Sequence, residues 1–156
     1  MSTGKALALG AISGLRSASG PAFVGRAASR GDMDLDGTFL AFLGSARLSK
    51  MLTLAQLGEL VADKLPATPS RTGWPPLLGR AALGGLAGAA VFLSAGRGAA
   101  TGAILGSSAA GAAAFAGENL RSLVVDISGL PDLGIAIAED AVVLVVGSRA
   151  TSKAAR

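Results

Sequence analysis

The sequence predicts an all-α integral membrane bundle of about five transmembrane helices, on three observations. Apolar residues make up 51% of the 156 and charged residues only 15%, whereas an average soluble domain carries about 25% charged residues. Glycine occurs 23 times, and small residues at this density let helix backbones approach closely inside lipid. The apolar residues also cluster into stretches that can cross roughly 30 Å of hydrocarbon, which takes about 20 helical residues. The mean hydropathy is +0.56. The competing reading is a soluble helical protein whose alanines and glycines inflate that figure. Too few charges remain to cover such a surface.

The residue types that are missing narrow the chemistry. The chain has no Cys, His or Tyr, which removes disulfides, thiol redox chemistry, Ser-His-Asp triads and the usual zinc ligand sets. No enzyme activity, cofactor or metal is expected. The net charge of +4 and a pI near 10.4 could suggest nucleic acid. However, the basic residues stand singly at the ends of apolar runs, and the only aromatics are five Phe and one Trp. They read as membrane flanks, with no nucleic-acid partner.

Taken in order, the spans run approximately over 5–28, 48–65, 76–95, 99–123 and 131–148. The first begins after Lys5. Its Ser17-Ala18-Ser19 resembles a secretory cleavage site, but Arg16 interrupts the run. A polar loop, Arg30 to Gly37, follows. The apolar piece Leu35–Ala46 is too short to span; it lies in the interface, re-enters, or extends the second helix. Pro66-Ala67-Thr68-Pro69 ends the second span, because its prolines cannot continue a helix. Trp74 then sits where an interfacial anchor belongs. Pro131 is placed to start the last helix, and 151–156 is a polar tail. Residues 1–150 form a single transmembrane domain.

That domain repeats itself. Gly10-Ala11-Ile12-Ser13-Gly14 returns as Gly102-Ala103-Ile104-Leu105-Gly106, and from 10–25 to 102–117 eight of sixteen positions are identical. An acidic helix follows in each half, Glu59 to Asp63 and then Glu139-Asp140. The layout is repeat one over about 5–65, a linking helix over about 76–95, and repeat two over about 99–148. Three crossings separate the two copies of the first helix. An odd number reverses direction, so an internal inverted repeat is expected, a design common in membrane transporters. The bland reading is convergence of two Ala/Gly-rich helices. With five spans the basic residues split eight to five, which weakly favours an outside N-terminus; Lys5, Arg80 and Arg121 fall on that side.

Ionisable residues within spans are costly and make a functional hypothesis by default. Arg16, Glu59, Asp63, Glu139 and Asp140 are the candidates for a substrate or ion pathway. Glu59 and Asp63 are four apart and share a helix face, where they could bind a cation or share a proton. The competing reading makes all five internal ion pairs that set helix register. Glu118 and Arg121, three apart, read as a structural ion pair. Gly10/Gly14, Gly84/Gly88 and Gly102/Gly106 are small-xxx-small pairs that mark close helix crossings, within the chain or in a homo-oligomer. Asp32-Met33-Asp34-Leu35-Asp36-Gly37 matches half a calcium loop, but its twelfth position is Leu43 where a bidentate Glu belongs. It reads as a solvated turn.

Gly14-Leu15-Arg16, Glu59-Leu60-Val61-Ala62-Asp63-Lys64-Leu65-Pro66 and Ala138-Glu139-Asp140 together resemble the domain-of-unknown-function 4126 family of small bacterial membrane proteins. The resemblance covers most of the chain, with Glu-x-x-x-Asp-Lys-x-Pro its most specific part. It implies a multi-pass protein of the bacterial cytoplasmic membrane and no particular activity. A fainter likeness is to the Glu-x-Gly-Asp-Lys motif of cation/proton antiporters. Here the two acids stand one residue further apart, with no Gly between them.

Two functions are expected from this reading. One is a small inverted-repeat transporter or channel, working as a homo-oligomer, for a small solute or cation and coupled to protons. The other is a non-transporting accessory or scaffold subunit that binds a partner protein, a lipid or a pigment. The second would show a lipid-facing patch of small residues with its charges paired inside.

Overall fold

The computed structural model describes residues 2–62, 73–128 and 132–152. Every element there is helical: α1 (Ser2–Leu15), α2 (Ser19–Ser29), a 3-10 turn (Ala41–Gly44), α3 (Ala46–Ala62), α4 (Trp74–Leu93), α5 (Ala99–Ser128) and α6 (Asp132–Thr151). Two of them, Trp74–Leu93 and Ala99–Ile127 within α5, are long and apolar enough to cross a membrane. At 1.5 Å per residue the 20 residues of α4 measure about 30 Å, the thickness of the hydrocarbon layer.

The first predicted span is not one helix. It stops at Leu15, reverses, and starts again at Ser19. A Cβ on Gly20 would meet the Ser13 hydroxyl and the Leu9 carbonyl oxygen, so α2 runs back along α1. Pro21 sits in the first turn of the new helix, where its missing N–H costs nothing. The two pieces are 14 and 11 residues long, or about 21 and 17 Å, each shorter than a crossing.

Pairwise contacts fix the direction of the remaining helices. Ser19 meets Gln56 and Ser29 meets Ser49, so α3 runs opposite to α2. Arg80 meets Gly14, and Gly84 faces Gly10, so α4 opposes α1. Gly84 and Gly88 face Gly106 and Gly102, so α5 opposes α4. Arg16 meets Asp140 and Lys5 meets Ser152, so α6 opposes α1. The helices alternate throughout.

This alternation does not support the expected inverted repeat. Gly10 packs on Gly106 and Gly14 on Ala110, so α1 and α5 run parallel, whereas α3 and α6 run opposite. The reversal after Leu15 divides the matched segment 10–25 between α1 and α2, so only its first part runs parallel to α5. It also corrects the charge split. Lys5 lies beside Ser152 and Arg97 bonds Ser2, so the first and last described helical ends share one end of the bundle. The segment before α3 neither spans nor extends that helix. Met33, Leu35, Leu40 and Leu43 are buried, while Phe39 and Phe42 face outward.

Glycine is the packing material at the centre. A Cβ on Gly88 would strike the Gly102 carbonyl, and one on Gly106 the Gly84 carbonyl. The backbones of α1, α4 and α5 therefore touch, with all six predicted glycines inside one three-helix seam. Around it lies Leu9, Ile12, Val24, Ala87, Ala90 and Phe92. The Cβ position of Gly111, also on α5, meets nothing. Gly106→Ala is expected to cost about 1–3 kcal/mol through overpacking. Gly111→Ala should stabilise by up to about 1 kcal/mol, because alanine loses less backbone entropy in a helix. Unfolding titrations in detergent measure both.

Candidate functional site

Polar groups converge where α1 and α2 meet. A helix that stops inside an apolar bundle leaves N–H and C=O groups with no partner of their own. Here two charged side chains from other helices supply partners. Ala18 occupies the N-cap of α2 and has no side-chain cap. The Glu59 carboxylate of α3 takes that role. It accepts hydrogen bonds from the Ser17 N–H at 2.7 Å, the Ser17 hydroxyl at 2.8 Å and the Ala18 N–H at 2.9 Å. A carboxylate is also the charge that the positive end of a helix favours.

At the other side of the break, Arg80 of α4 donates to the Gly14 and Leu15 carbonyl oxygens, each at 2.9 Å. These are the last carbonyls of α1, and a cation suits that helix end. Arg80 is only 7% exposed, and its guanidinium stands 3.8 Å from Glu59. The two side chains therefore satisfy both halves of the break and face each other across it.

Arg16, at the reversal, is fully buried and is the largest such side chain. Its Nε donates to Asp140 Oδ1 of α6 at 2.9 Å, and a terminal nitrogen lies 2.7 Å from the same oxygen. Beside Asp140, Glu139 points elsewhere and stands 3.8 Å from Arg121 of α5. The structure thus divides the predicted acids. Glu59 and Asp140 converge on the reversal, Glu139 faces a separate arginine, and Asp63 lies outside the described residues. Arg121 reaches across to α6 as well as lying three residues from Glu118.

Sequence reasoning missed Arg80 and Gln56. Arg80 was assigned to a membrane flank, yet it follows Trp74 by six residues and so sits well inside a helix that begins at the tryptophan. That spacing was the available signal. Gln56, 2% exposed, donates to the Ser19 hydroxyl at 3.1 Å and ties α3 to the first turn of α2. No feature of its local sequence distinguishes it. The acidic turn 32–37 is exposed apart from Met33 and Leu35, and Asp34 accepts the Asp36 N–H at 3.0 Å.

Outside the polar centre lies an apolar groove of about 590 Å³ between the end of α1, α5 and α6. Ala113, Ala116, Gly117, Gly134 and Ala138 give it a small-residue wall, and Arg121 and Glu139 edge it. Chemically, the centre can hold helix ends and fix register. Its carboxylates are occupied by donors from the break and from Arg16.

No family model, curated protein or solved structure matches this chain.

Removing one partner of a buried pair costs more than removing both. Asp140→Leu is expected to destabilise by about 3–5 kcal/mol, because a buried guanidinium loses its carboxylate. Arg16→Met combined with Asp140→Leu should recover most of that loss. Equal destabilisation of the single and double variants in denaturant titrations would refute a buried structural pair.

Proposed function

We propose that this protein is a multi-pass membrane accessory or scaffold subunit, acting through the surfaces it offers. Its exposure pattern supports the membrane placement. Arg16, Arg80, Gln56 and Ser19 are buried, while Leu54, Val61, Ile104, Leu120, Ile127 and Val145 are exposed. Large apolar side chains outside and charges inside are what a hydrocarbon solvent selects. The compartment proposed is the bacterial cytoplasmic membrane. The basic end, with Lys5, Arg26, Arg30, Lys50 and Arg97, then faces the cytoplasm. Trp74, 72% exposed, marks the opposite interface.

The observation that carries the accessory reading is closure of the charged centre. Arg16 meets Asp140, and Glu59 is held by two backbone N–H groups, a hydroxyl and Arg80. The position at the α2 N-terminus where a transporter would hold an anionic substrate is filled by the chain's own Glu59. The small-residue groove on α5 and α6 lies on the outer face, suited to close approach by a transmembrane helix of a partner membrane protein.

One observation favours a carrier instead. Broken helices with their ends at mid-bundle build the binding sites of several transporters, and this chain has such a break. Proteoliposome flux separates the two readings. The accessory reading expects no proton or monovalent-cation flux above protein-free vesicles. Flux that Glu139→Gln abolishes without loss of folding would favour the carrier.

Topology has its own test, helped by the absence of native cysteine. Single cysteines at Ser2 and Ser152 are expected to react with a membrane-impermeant thiol reagent from the same side. One at Gly73 should react only from the other. Labelling of Ser2 and Ser152 from opposite sides would exclude the alternating arrangement as a membrane topology.

A further inference from the structure

The basic end of the bundle holds a hollow that the polar centre does not use. It lies between α2 and α3, has a volume of about 490 Å³, and is lined by Arg26, Arg30, Lys50, Ser49, Thr53 and Leu54 among others. Three cations from two helices border it, and no carboxylate does. Arg26 and Arg30 are four apart on one helix face, a like-charge pair that is unfavourable without an anion.

Part of the explanation is local. Cations suit the C-terminal turn of α2, where Arg26 lies and Arg30 is the C-cap. That turn closes as a Schellman motif, in which Gly31, at φ +73°, and Asp32 donate to Ala28 and Ala27. A helix end does not account for Lys50, which comes from the first turns of α3. Nor does it account for the setting of Arg26. Its guanidinium lies 4.3 Å from the centre of the Phe23 ring and reaches Thr53 Oγ1 at 3.5 Å. These contacts hold its plane at the hollow, and most of its five N–H donors are left over. Among the described residues, no carboxylate forms an ion pair with Arg26, Arg30 or Lys50. Asp32 borders a neighbouring hollow between α2 and α6 that both arginines also line, so the arginines outnumber the acid there too.

A second feature selects the kind of anion. Met51, Leu54, Leu57 and Val61 are all more than half exposed. Their spacing of three, three and four residues puts them on one face of α3. Leu54 belongs both to this stripe and to the wall of the hollow. An apolar track therefore leads from the cationic hollow along the outside of the bundle.

We propose that the α2–α3 hollow binds the phosphate head group of an anionic phospholipid, with its acyl chains along Leu54, Leu57 and Val61. The proposal rests on the membrane placement above, which puts this end at the cytoplasmic interface. Basic pockets between transmembrane helices on that side are suited to anionic head groups. The shared chemistry is a phosphate oxyanion on Arg26, Arg30 and Lys50. A free phosphate ion would use the same donors but not the apolar track.

The test is thermal unfolding of the full chain purified in a neutral detergent, at about 150 mM salt to screen loose charge attraction. The additions are phosphatidylglycerol, phosphatidylcholine or inorganic phosphate. Phosphatidylglycerol is expected to raise Tm by about 3–8 °C, while the other two leave it unchanged. Arg30→Gln with Lys50→Gln should lose at least half of that rise. Both side chains are exposed, and Tm without lipid reports whether the variant still folds. Arg149→Gln, at the same end but outside the hollow, should keep the full rise. An equal rise with phosphatidylcholine or inorganic phosphate would overturn the proposal, as would a full rise in the double variant. Alkaline carbonate extraction of cell membranes, run alongside, reports separately on the membrane placement. A chain that resists extraction but shows no phosphatidylglycerol effect refutes the lipid site alone.

Discussion

A helix that ends inside an apolar bundle has to find partners for the backbone groups at its end, and the structure depends on how this chain meets that demand. Glu59 takes the amides that open α2, and Arg80 takes the carbonyls that close α1. An unsatisfied buried polar group costs about 1–3 kcal/mol, so the reversal and these two charges stand or fall together. The reversal in turn sets the direction of every later helix. Without it, α1 and α5 would run opposite ways, and the glycine seam that joins them to α4 could not form as it does.

The same constraint separates structural charge from functional charge. A buried ion pair is weak evidence for net stability, because desolvation offsets most of its attraction. Its better-attested use is to specify one arrangement among several. Arg16 with Asp140 sets α6 against the reversal, and Glu59 with Arg80 sets α3 and α4 against it. Each contact joins a different helix to the same short stretch, Gly14 to Ala18. Opening any of them would release helix ends, so these charges are tied to the arrangement of the bundle. The basic end is organised differently: Arg26, Arg30 and Lys50 face a hollow, and among the described residues no carboxylate pairs with them.

Much of the fold was legible in the sequence. Four of the five apolar stretches correspond to single helices, displaced by a few residues, because length and hydropathy depend only on local composition. The three glycine pairs were legible as close-crossing positions, although their partners were not; all six fell within one chain. The first span misled because its apolar run continues unbroken in composition through a turn. Pro21 was the local sign of a new helix start, and Arg16 the sign that the run was interrupted. Arg80 was hidden by treating basic residues near span ends as flanks. Which acid meets which base could not be read at all, because pairings such as Arg16 with Asp140 join residues 124 apart.

Backbone amide hydrogen exchange at Ser17 and Ala18 tests the central claim most directly. If Glu59 caps α2, both amides are protected in the native chain and exchange freely in Glu59→Ala, while the amides of α4 and α5 stay protected. Rapid exchange at Ser17 and Ala18 in the native chain, or unchanged protection in the variant, would contradict the account.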